Sequence, residues 1–298
     1  MGNTINESTP PLKNLHNQQL KRKNMYMTGK VLSHILLIAV SLFCLMPFYF
    51  MITYATRSPI DIAQGMAFFP GSEFLNNLER LTTIVDVLGG LKNSLIAAIP
   101  ATFLSAYFGG ITAYGFAKYN FKGKNYLFAV VFLSLIIPQQ IGFVGFLKVC
   151  TFLNLKDTLW PLIIPYIANS LFVFFVKYYI ENTIPDSLMD SARIDGCSEL
   201  KIYHFIVLPA IIPAIATMSM FTFFSVWNSY LIPTTILESQ SLYTVPIMTA
   251  LSKGIYGNDF GAMYATLAVF TLPVILVYIL CSRFLTNGVS LSFGLIKD

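Results

Sequence analysis

Residues 93–117 read NSLIAAIPATFLSAYFGGITAYGFA, a run of 25 residues that contains no charged side chain. A helix needs about 20 mostly apolar residues to cross the hydrocarbon core of a bilayer. Five further runs meet this requirement: Val31–Tyr54, Tyr126–Val149, Thr158–Tyr179, Pro213–Ile236 and Ala262–Phe284. They do not alternate in the units of about ten residues that barrel strands show. The runs therefore predict an all-α, polytopic membrane protein with six transmembrane helices.

The composition agrees with this class. Of the 298 residues, 55% are hydrophobic and 11% are charged, whereas soluble domains carry about 25% charged residues. Such a chain has too few polar groups to cover a water-facing surface. The composition therefore excludes an ordinary soluble enzyme, a disordered protein and a nucleic-acid-binding protein.

The cysteines and histidines are too scattered to indicate a site. Most of the cysteines lie in apolar stretches, where they are expected to pack as small hydrophobic residues. We predict no catalytic residue, no metal site and no disulfide framework in this chain. The residues in question are Cys44, Cys150, Cys197 and Cys281, with His16, His34 and His204.

Lysine and arginine residues are distributed unevenly across the six predicted spans. The side that holds both termini has 13 of them, and the opposite side has 6. Because basic loops remain in the cytoplasm, we predict that both termini are cytoplasmic and that the long loops at about 55–92 and 237–261 lie outside. The polar residues 1–30 are predicted to be a disordered cytoplasmic tail, followed by one transmembrane domain over residues 31–298.

Several residues indicate that the spans are more than lipid-facing rods. Proline is expected to interrupt its helices at positions 100, 138, 161, 165 and 273. Small residues on the second span, at positions 106, 109, 110 and 113, favour close helix packing. Amide side chains inside the spans either hydrogen-bond across helices or line a wet cavity, with static packing as the alternative. These amides are Gln139, Gln140, Asn169 and Asn228.

The segment 181–212, called the elbow here, lies between the fourth and fifth spans and is too long for a simple hairpin. Its first part reads IPDSLMDSARIDG and has the apolar spacing of one helix face. Gly196 is placed to end that helix with a positive φ, and Ser198 is placed to cap a second helix. Pro209 then leads into the fifth span. We predict two short helices joined by a tight glycine turn.

The acidic bias of the elbow argues against a helix that lies on the membrane surface, which is the simplest alternative. Anionic lipid headgroups attract basic helices, not acidic ones. The small residues Ser191 and Ala192 instead favour close approach by a partner protein. The acidic residues are Asp186, Asp190, Asp195 and Glu199.

Residues 190–209, DSARIDGCSELKIYHFIVLP, resemble the EAA motif of permease subunits in binding-protein-dependent ABC importers. That motif is Glu-Ala-Ala, three residues, Gly, nine residues, and Ile-x-Leu-Pro. Gly196 and the Ile206–Pro209 stretch match at the full spacing, with Asp190 in place of Glu and Ser191 in place of Ala. The stretch WNSYLIP at residues 227–233 and the last twelve residues resemble the MalG-like subunit of carbohydrate importers.

The resemblance implies the type I ABC importer permease fold in the plasma membrane of a bacterium. It also implies partners: a second homologous permease, two ATPase subunits and an extracellular sugar-binding protein, all working in membrane lipid and without nucleic acid. ATP and Mg would bind to the partner ATPase, since this chain has no GxxxxGK[ST] phosphate loop. In that scheme the chain binds no cofactor and is not itself an enzyme.

The resemblance assigns the elbow to ATPase coupling, with Leu188 and Met189 expected to fill a cleft of the partner. The expected coupling residues are Leu188, Met189, Asp190, Ser191, Ala192, Asp195, Gly196 and Pro209.

Trp227 and Asn228, with Gln139 and Gln140, are candidates for the substrate pathway, and packing between helices is the alternative for Trp227 and Asn228. An ion-coupled secondary transporter is the alternative function. It would need charged residues in mid-span, and none is seen there. A membrane enzyme would need a cluster of histidines or carboxylates at a span end, which is also not seen.

Overall fold

The computed structural model describes residues 12–65, 68–82, 86–256 and 259–294. Within these ranges the regular structure is entirely helical. The α-helices are α1 Leu12–Ala55, α2 Pro59–Ala63, α3 Phe74–Thr82, α4 Val87–Lys118, α5 Lys124–Ile136, α6 Gln139–Phe152, α7 Ser170–Thr183, α8 Asp186–Ile194, α9 Glu199–Ile202, α10 Leu208–Ala210, α11 Ile212–Trp227, α12 Leu231–Ile236, α13 Val245–Tyr256 and α14 Phe260–Gly294. Short 3₁₀ turns lie at Trp160–Leu162, Ile164–Ala168 and Gln240–Leu242, and a π-helical segment lies at Tyr203–Val207.

Helix α4 is the central element of the bundle, and α7, α11 and α13 pack against it. Its buried side chains belong to two apolar clusters at opposite ends, so α4 joins the two halves of the protein. The elbow-end core comprises Ala113, Tyr114, Phe116, Phe172, Val173, Val176, Ile180, Ile184, Met189, Ala192, Ile202, Tyr203, Val207, Ile211, Ala214 and Met218. The loop-end core comprises Val87, Ala97, Ala98, Ala101, Cys150, Leu162, Ile163, Phe223, Val226, Trp227, Ile236, Leu237, Val245, Ile247, Met248 and Phe270.

The small-residue face predicted on the second span is a close packing surface. A Cβ atom on Gly109 would lie 2.7 Å from a ring carbon of Phe172 in α7. A Cβ atom on Gly110 would lie 2.5 Å from the hydroxyl of Tyr203 in the elbow. Both positions therefore require glycine because two aromatic side chains reach the backbone of α4.

All six predicted spans coincide with helical segments. Among the residues that the structure describes, four helical segments are long and apolar enough to cross a membrane by themselves, and two further pairs of helices meet the same requirement if each bent pair is counted as one span. The four single spans are Tyr26–Ala55, Val87–Lys118, Trp160–Thr183 and Phe260–Phe284.

The predicted third span, Tyr126–Val149, is not one straight helix. It consists of α5 and α6, whose axes differ by 105°. The break lies at Ile137, which has an extended backbone, and Pro138, which precedes α6. Proline has no N–H to donate and disfavours the helical conformation of the residue before it. By contrast, Pro100 and Pro273 lie within continuous helices, which differs from the predicted interruption.

Two other boundaries differ from the sequence prediction. The fifth span ends at Trp227, and residues 231–236 form the separate short helix α12. Helix α1 begins at Leu12, so residues 12–30 of the predicted disordered tail are helical. Once the apolar part of α1 has formed, each added residue gains a hydrogen bond without a new nucleation cost. Residues 1–11 lie outside the described part of the chain.

The long loop after α1 packs on the protein's own helices. Asn77 in α3 is fully buried, and its amide donates hydrogen bonds to the carbonyls of Ala55 and Arg57 at 2.8 and 2.9 Å. Arg80 forms an ion pair of 3.0 Å with Asp259, immediately before α14. These contacts place α3 against the start of α14, at the end of the bundle opposite the elbow.

We expect Gly109→Ala to lower the thermal unfolding midpoint in detergent, because the new methyl group overlaps the ring of Phe172. Overpacking of this kind costs about 1–3 kcal/mol. Gly115→Ala in the same helix is the matched control, since a Cβ there meets nothing within 4 Å. That control should be neutral or gain up to about 1 kcal/mol from helix propensity. Equal midpoints for the two variants would contradict the packing.

Candidate functional site

The first helix of the elbow, α8, ends in the glycine turn predicted from the sequence. Gly196 has a φ of 78°. Its N–H donates to the carbonyl of Arg193, and the N–H of Cys197 donates to the carbonyl of Ala192, both at 3.0 Å. This pair of hydrogen bonds is the Schellman motif. A Cβ atom on Gly196 would meet nothing within 4 Å, so glycine is required by the backbone conformation and not by crowding.

The second part of the elbow is helical from Glu199 to Ala210 but irregular. Ser198 occupies the N-cap position as predicted, although its hydroxyl does not bond to a helix amide. The π-helical segment at Tyr203–Val207 precedes Pro209, which cannot donate to the carbonyl one turn earlier. The axis then turns by 80° into α11.

One face of α8 is buried against the protein's own core. Met189 is 1% exposed and Ala192 is 6% exposed, and both belong to the elbow-end core. Met189 therefore packs within its own chain and does not fill a partner's cleft, which corrects the sequence prediction. A short helix must bury one face on its own protein, and periodicity does not indicate which one.

The outward surface of the elbow is nevertheless apolar in part. Leu188 is exposed, and so are Asp190, Ser191 and Asp195. The sequence reasoning missed two larger contributions: Ile194 is 87% exposed, and Phe205 is 78% exposed. The sequence could have indicated their exposure in one way: Ile194 and Phe205 fall between the positions of the elbow helices that face the core.

A charged cluster, which the sequence reasoning also missed, joins the two elbow helices to α4. The guanidinium of Arg193 donates to Asp190 at 3.0 Å and to Glu199 at 2.8 Å. The carboxylate of Glu199 also accepts hydrogen bonds from the hydroxyls of Tyr114, at 3.1 Å, and Tyr119. Hydrogen bonding by Glu199 raises the pKa of the Arg193 guanidinium above its ordinary value. These hydrogen bonds bring together five side chains from three segments: α8, α9 and the end of α4.

Lys118, the last residue of α4, makes a second attachment to the elbow. Its ammonium group donates to the carboxylate of Asp186 at 2.6 Å and to the carbonyl of Ile184 at 2.5 Å. The side chain of Lys118 is 6% exposed, whereas that of Asp186 faces solvent. The hydrogen bond and the positive charge of Lys118 lower the pKa of Asp186. The start of α8 is thus held at the end of α4.

Trp227 and Asn228 line one cavity, at the end of α11. The cavity has a volume of about 700 Å³ and is otherwise lined by residues of α13 and α14 with Tyr230. Trp227 is largely buried and stacks on Phe223 with ring centroids 5.5 Å apart. Asn228 is exposed, and its amide donates to the carbonyl of Phe224 at 2.9 Å. The structure therefore combines helix packing for Trp227 with access for Asn228.

The two glutamines predicted with them are placed elsewhere. Gln140 is exposed near the start of α6 and is not among the residues that line this cavity. For Gln139 the structure describes the backbone, which begins α6. In the part of the chain that the structure describes, no group of three His, Cys, Asp or Glu residues is arranged to hold a metal ion.

Asn169 makes cross-helix contacts, one of the uses expected for an amide inside the spans. Its side chain donates to the hydroxyls of Ser105 in α4 and Thr222 in α11, at 2.9 and 3.1 Å. Its carbonyl oxygen accepts from the N–H of Phe172 at 3.2 Å and thereby caps α7. One amide therefore links three spans between the elbow-end core and the loop-end core.

The proteins to which this chain is similar are described as components of transport systems. A model of the family described as binding-protein-dependent transport system inner membrane component matches residues 105–290. The chain is 31% identical over 198 residues to the arabinooligosaccharides transport system permease protein AraQ of Bacillus subtilis, covering 66% of this chain and 70% of that protein. It is 29% identical over 278 residues to AraQ of Halalkalibacterium halodurans, covering 91% and 98%.

A solved structure supports the fold. A chain in the crystal structure of a bacterial ABC transporter involved in the import of the acidic polysaccharide alginate superposes with a TM-score of 0.74. The superposition covers 86% of this chain and 96% of that chain, at 20% sequence identity. At this identity the likeness concerns the arrangement of helices alone.

We expect Asn169→Ala to lower the thermal midpoint in detergent, because it removes both cross-helix hydrogen bonds and the cap of α7. Hydrogen bonds between membrane helices contribute about 0.6–2 kcal/mol each. Asn182→Ala is the control, since the Asn182 amide bonds only to the carbonyl of Tyr178 within α7. A loss of the same size in both variants would show that Asn169 does not join the spans.

Proposed function

The chain belongs to the family of binding-protein-dependent transport system inner membrane components, as the motif at residues 190–209 predicted, and we propose that it is the permease subunit of an ATP-driven importer of a sugar or oligosaccharide. The predicted all-α membrane fold of the ABC importer permease type agrees with the solved structure, and the described residues hold four candidate membrane spans, or six if each bent pair of helices is one span. The proposal adds the cargo, the partners and the mechanism to this family membership.

The names of the relatives support a carbohydrate cargo. Both AraQ proteins are named for transport of arabino-oligosaccharides. The cavity beside Asn228 has one exposed amide and mostly apolar walls. Sites for small ligands are typically built from apolar and aromatic walls with a few polar groups that fix orientation. We assign Trp227 to the wall and Asn228 to contact with the sugar.

The outward face of the elbow is the observation that carries the coupling part of the proposal. Leu188 and Ile194 are exposed apolar side chains on α8, which the ion pair between Lys118 and Asp186 holds to the end of α4. We assign this face, with Asp190, Ser191 and Asp195, to docking on a partner ATPase. Met189, Ala192, Gly196 and Pro209 then shape the elbow from within its own chain.

In the proposed mechanism, two cytoplasmic ATPase subunits bind ATP and Mg and move together when ATP binds. The elbow transfers this movement to the spans of this permease and of a second, homologous permease. The pathway between them alternates between an inward-facing and an outward-facing state. An extracellular binding protein delivers the sugar. This chain contributes no step of ATP hydrolysis.

The same proposal orients the protein in the membrane. The elbow, the end of α4 and the basic residues around Lys118–Lys124 lie at one end of the bundle, away from the loops near Asp157 and Asp259. Basic segments remain in the cytoplasm. We therefore place the elbow end and both termini in the cytoplasm of a bacterium.

Replacing Gly196 tests the coupling role. In Gly196→Val, a β-branched residue must adopt a φ near 78°, which costs about 1–2 kcal/mol or distorts the turn. We expect loss of arabino-oligosaccharide uptake by the complete complex and weaker co-purification of the ATPase subunit. Gly123→Val is the matched control, since Gly123 has a φ of 86° with nothing near its Cβ but lies outside the elbow. Normal uptake and normal ATPase binding in Gly196→Val would overturn the assignment.

Replacing Asn228 tests the sugar contact. We expect Asn228→Ala to raise the KM for arabino-oligosaccharide uptake about 2- to 10-fold, the effect of losing one neutral hydrogen bond. Asn182→Ala is the control, because it removes an exposed amide that makes the same type of bond to its own helix, outside the cavity. Unchanged uptake kinetics in Asn228→Ala would remove this residue from the pathway.

A further inference from the structure

We propose that Tyr114, Tyr119, Arg193 and Glu199 form a clasp through which movement of the elbow is transmitted along α4 to the cavity at its far end. The inference rests on the proposed function, because it assigns a route to the coupling movement. The four side chains are positioning residues, which contact neither ATP nor the sugar.

The clasp joins segments that are far apart in sequence. One carboxylate, that of Glu199, accepts from Arg193 of α8 and from two tyrosine hydroxyls at the end of α4. The ring of Tyr114 is buried, and it meets the ring of Tyr119 edge-on at 5.5 Å and the ring of Tyr203 at 5.5 Å. The guanidinium of Arg193 lies 5.9 Å from the ring of Tyr119. The elbow and α4 therefore share both a charged contact and an aromatic one.

The backbone that leads from the elbow into α11 is a less direct connection to the spans than the side-chain contacts with α4. The chain passes through the π-helical segment at Tyr203–Val207, then Pro209, and then turns by 80° at Ile211 before α11 begins. This stretch departs from regular α-helix because Pro209 has no N–H to donate and the segment before it is π-helical. Helix α4 is continuous over 32 residues, which corresponds to a length of about 48 Å.

The other end of α4 is attached to the wall of the cavity. The amide of Asn93 donates to the carbonyls of Ser241 and Tyr243 at 2.8 and 3.0 Å. The hydroxyl of Ser94 accepts from the N–H of Val245 at 2.8 Å. Val245 begins α13 and lines the cavity together with Trp227 and Asn228. Helix α4 thus has side-chain attachments to the elbow at one end and to the cavity wall at the other.

In this arrangement the elbow end of α4 receives the displacement, and the opposite end passes it to the cavity wall. A displacement of the elbow pulls on Tyr114 and Tyr119 through Glu199. Because α4 is a continuous helix, the displacement reaches Asn93 and Ser94 and shifts the start of α13. Without the charge on Glu199, the ATPase subunits still bind the outward face of the elbow, but their movement reaches the cavity less completely.

The test uses the complete transporter in liposomes, with its ATPase subunits, partner permease and binding protein, and arabino-oligosaccharide as the probe. The quantity measured is the number of ATP molecules hydrolysed for each sugar transported. Glu199→Gln keeps the shape of the side chain and removes its charge. We expect this ratio to rise about tenfold, as for the loss of one hydrogen bond to a charged group, with ATPase co-purification unchanged.

A second variant tests the far end of the route. Ser94→Ala removes the hydrogen bond to Val245, about 35 Å along the helix from the clasp, and should raise the same ratio. The double variant should be no worse than the stronger single variant, because both interrupt one route. Glu181→Gln is the matched control: it removes the 2.9 Å ion pair with Lys177 within α7, which does not join the elbow to α4.

The outcomes separate the clasp from the function on which it rests. An active wild-type complex with an unchanged ratio in Glu199→Gln overturns the clasp alone. Loss of ATPase co-purification in Glu199→Gln also overturns it, because Glu199 then belongs to the docking face. A wild-type complex whose ATP hydrolysis is stimulated neither by arabino-oligosaccharide nor by a panel of other mono- and oligosaccharides overturns the proposed function together with the clasp. A raised ratio in Glu199→Gln and Ser94→Ala, with Glu181→Gln unchanged, supports it.

Discussion

The close contact of α7 and the elbow with α4 at Gly109 and Gly110 is the interaction on which the rest of the structure depends. Neither residue has a Cβ atom, so Phe172 and Tyr203 reach the helix backbone. In lipid, apolar side chains gain little by leaving the hydrocarbon for a helix interface, and close van der Waals contact must supply the association. This contact determines where the elbow-end core forms and therefore which side of the elbow faces inward.

Charged side chains then fix the elbow against that core. Lys118 is almost entirely shielded from solvent, yet its ammonium group has a carboxylate and a carbonyl as partners. Glu199, which is partly exposed, accepts hydrogen bonds from Arg193, Tyr114 and Tyr119. Buried charges are costly unless they are paired and hydrogen-bonded. The ion pairs at the elbow end therefore hold α8 in one position relative to α4. The outward apolar residues Leu188 and Ile194 lie on this fixed helix.

Sequence patterns predicted the features that depend on a single residue type at a fixed position. The turn at Gly196 was predictable because a backbone with positive φ favours one residue type. The packing of Gly109 was predictable because small residues have one common use between membrane helices. The inward direction of Met189 was not predictable, since a 3.6-residue period shows that a face exists but not what covers it. The 105° bend beside Pro138 also depends on neighbouring helices, because Pro100 and Pro273 lie in unbroken ones.

The sequence alone determined the class of the protein, the positions of its apolar helical segments, the glycine turn and the family, because these follow from local composition and from residues at short, fixed spacing. Only the tertiary structure decided that Glu199 meets Tyr114 and Tyr119, and that Trp227 and Asn228 share a cavity with α13 and α14. Those contacts join residues up to 85 positions apart in the first case. Such pairs depend on how whole helices pack, and no short-range pattern in the chain encodes the packing of distant helices.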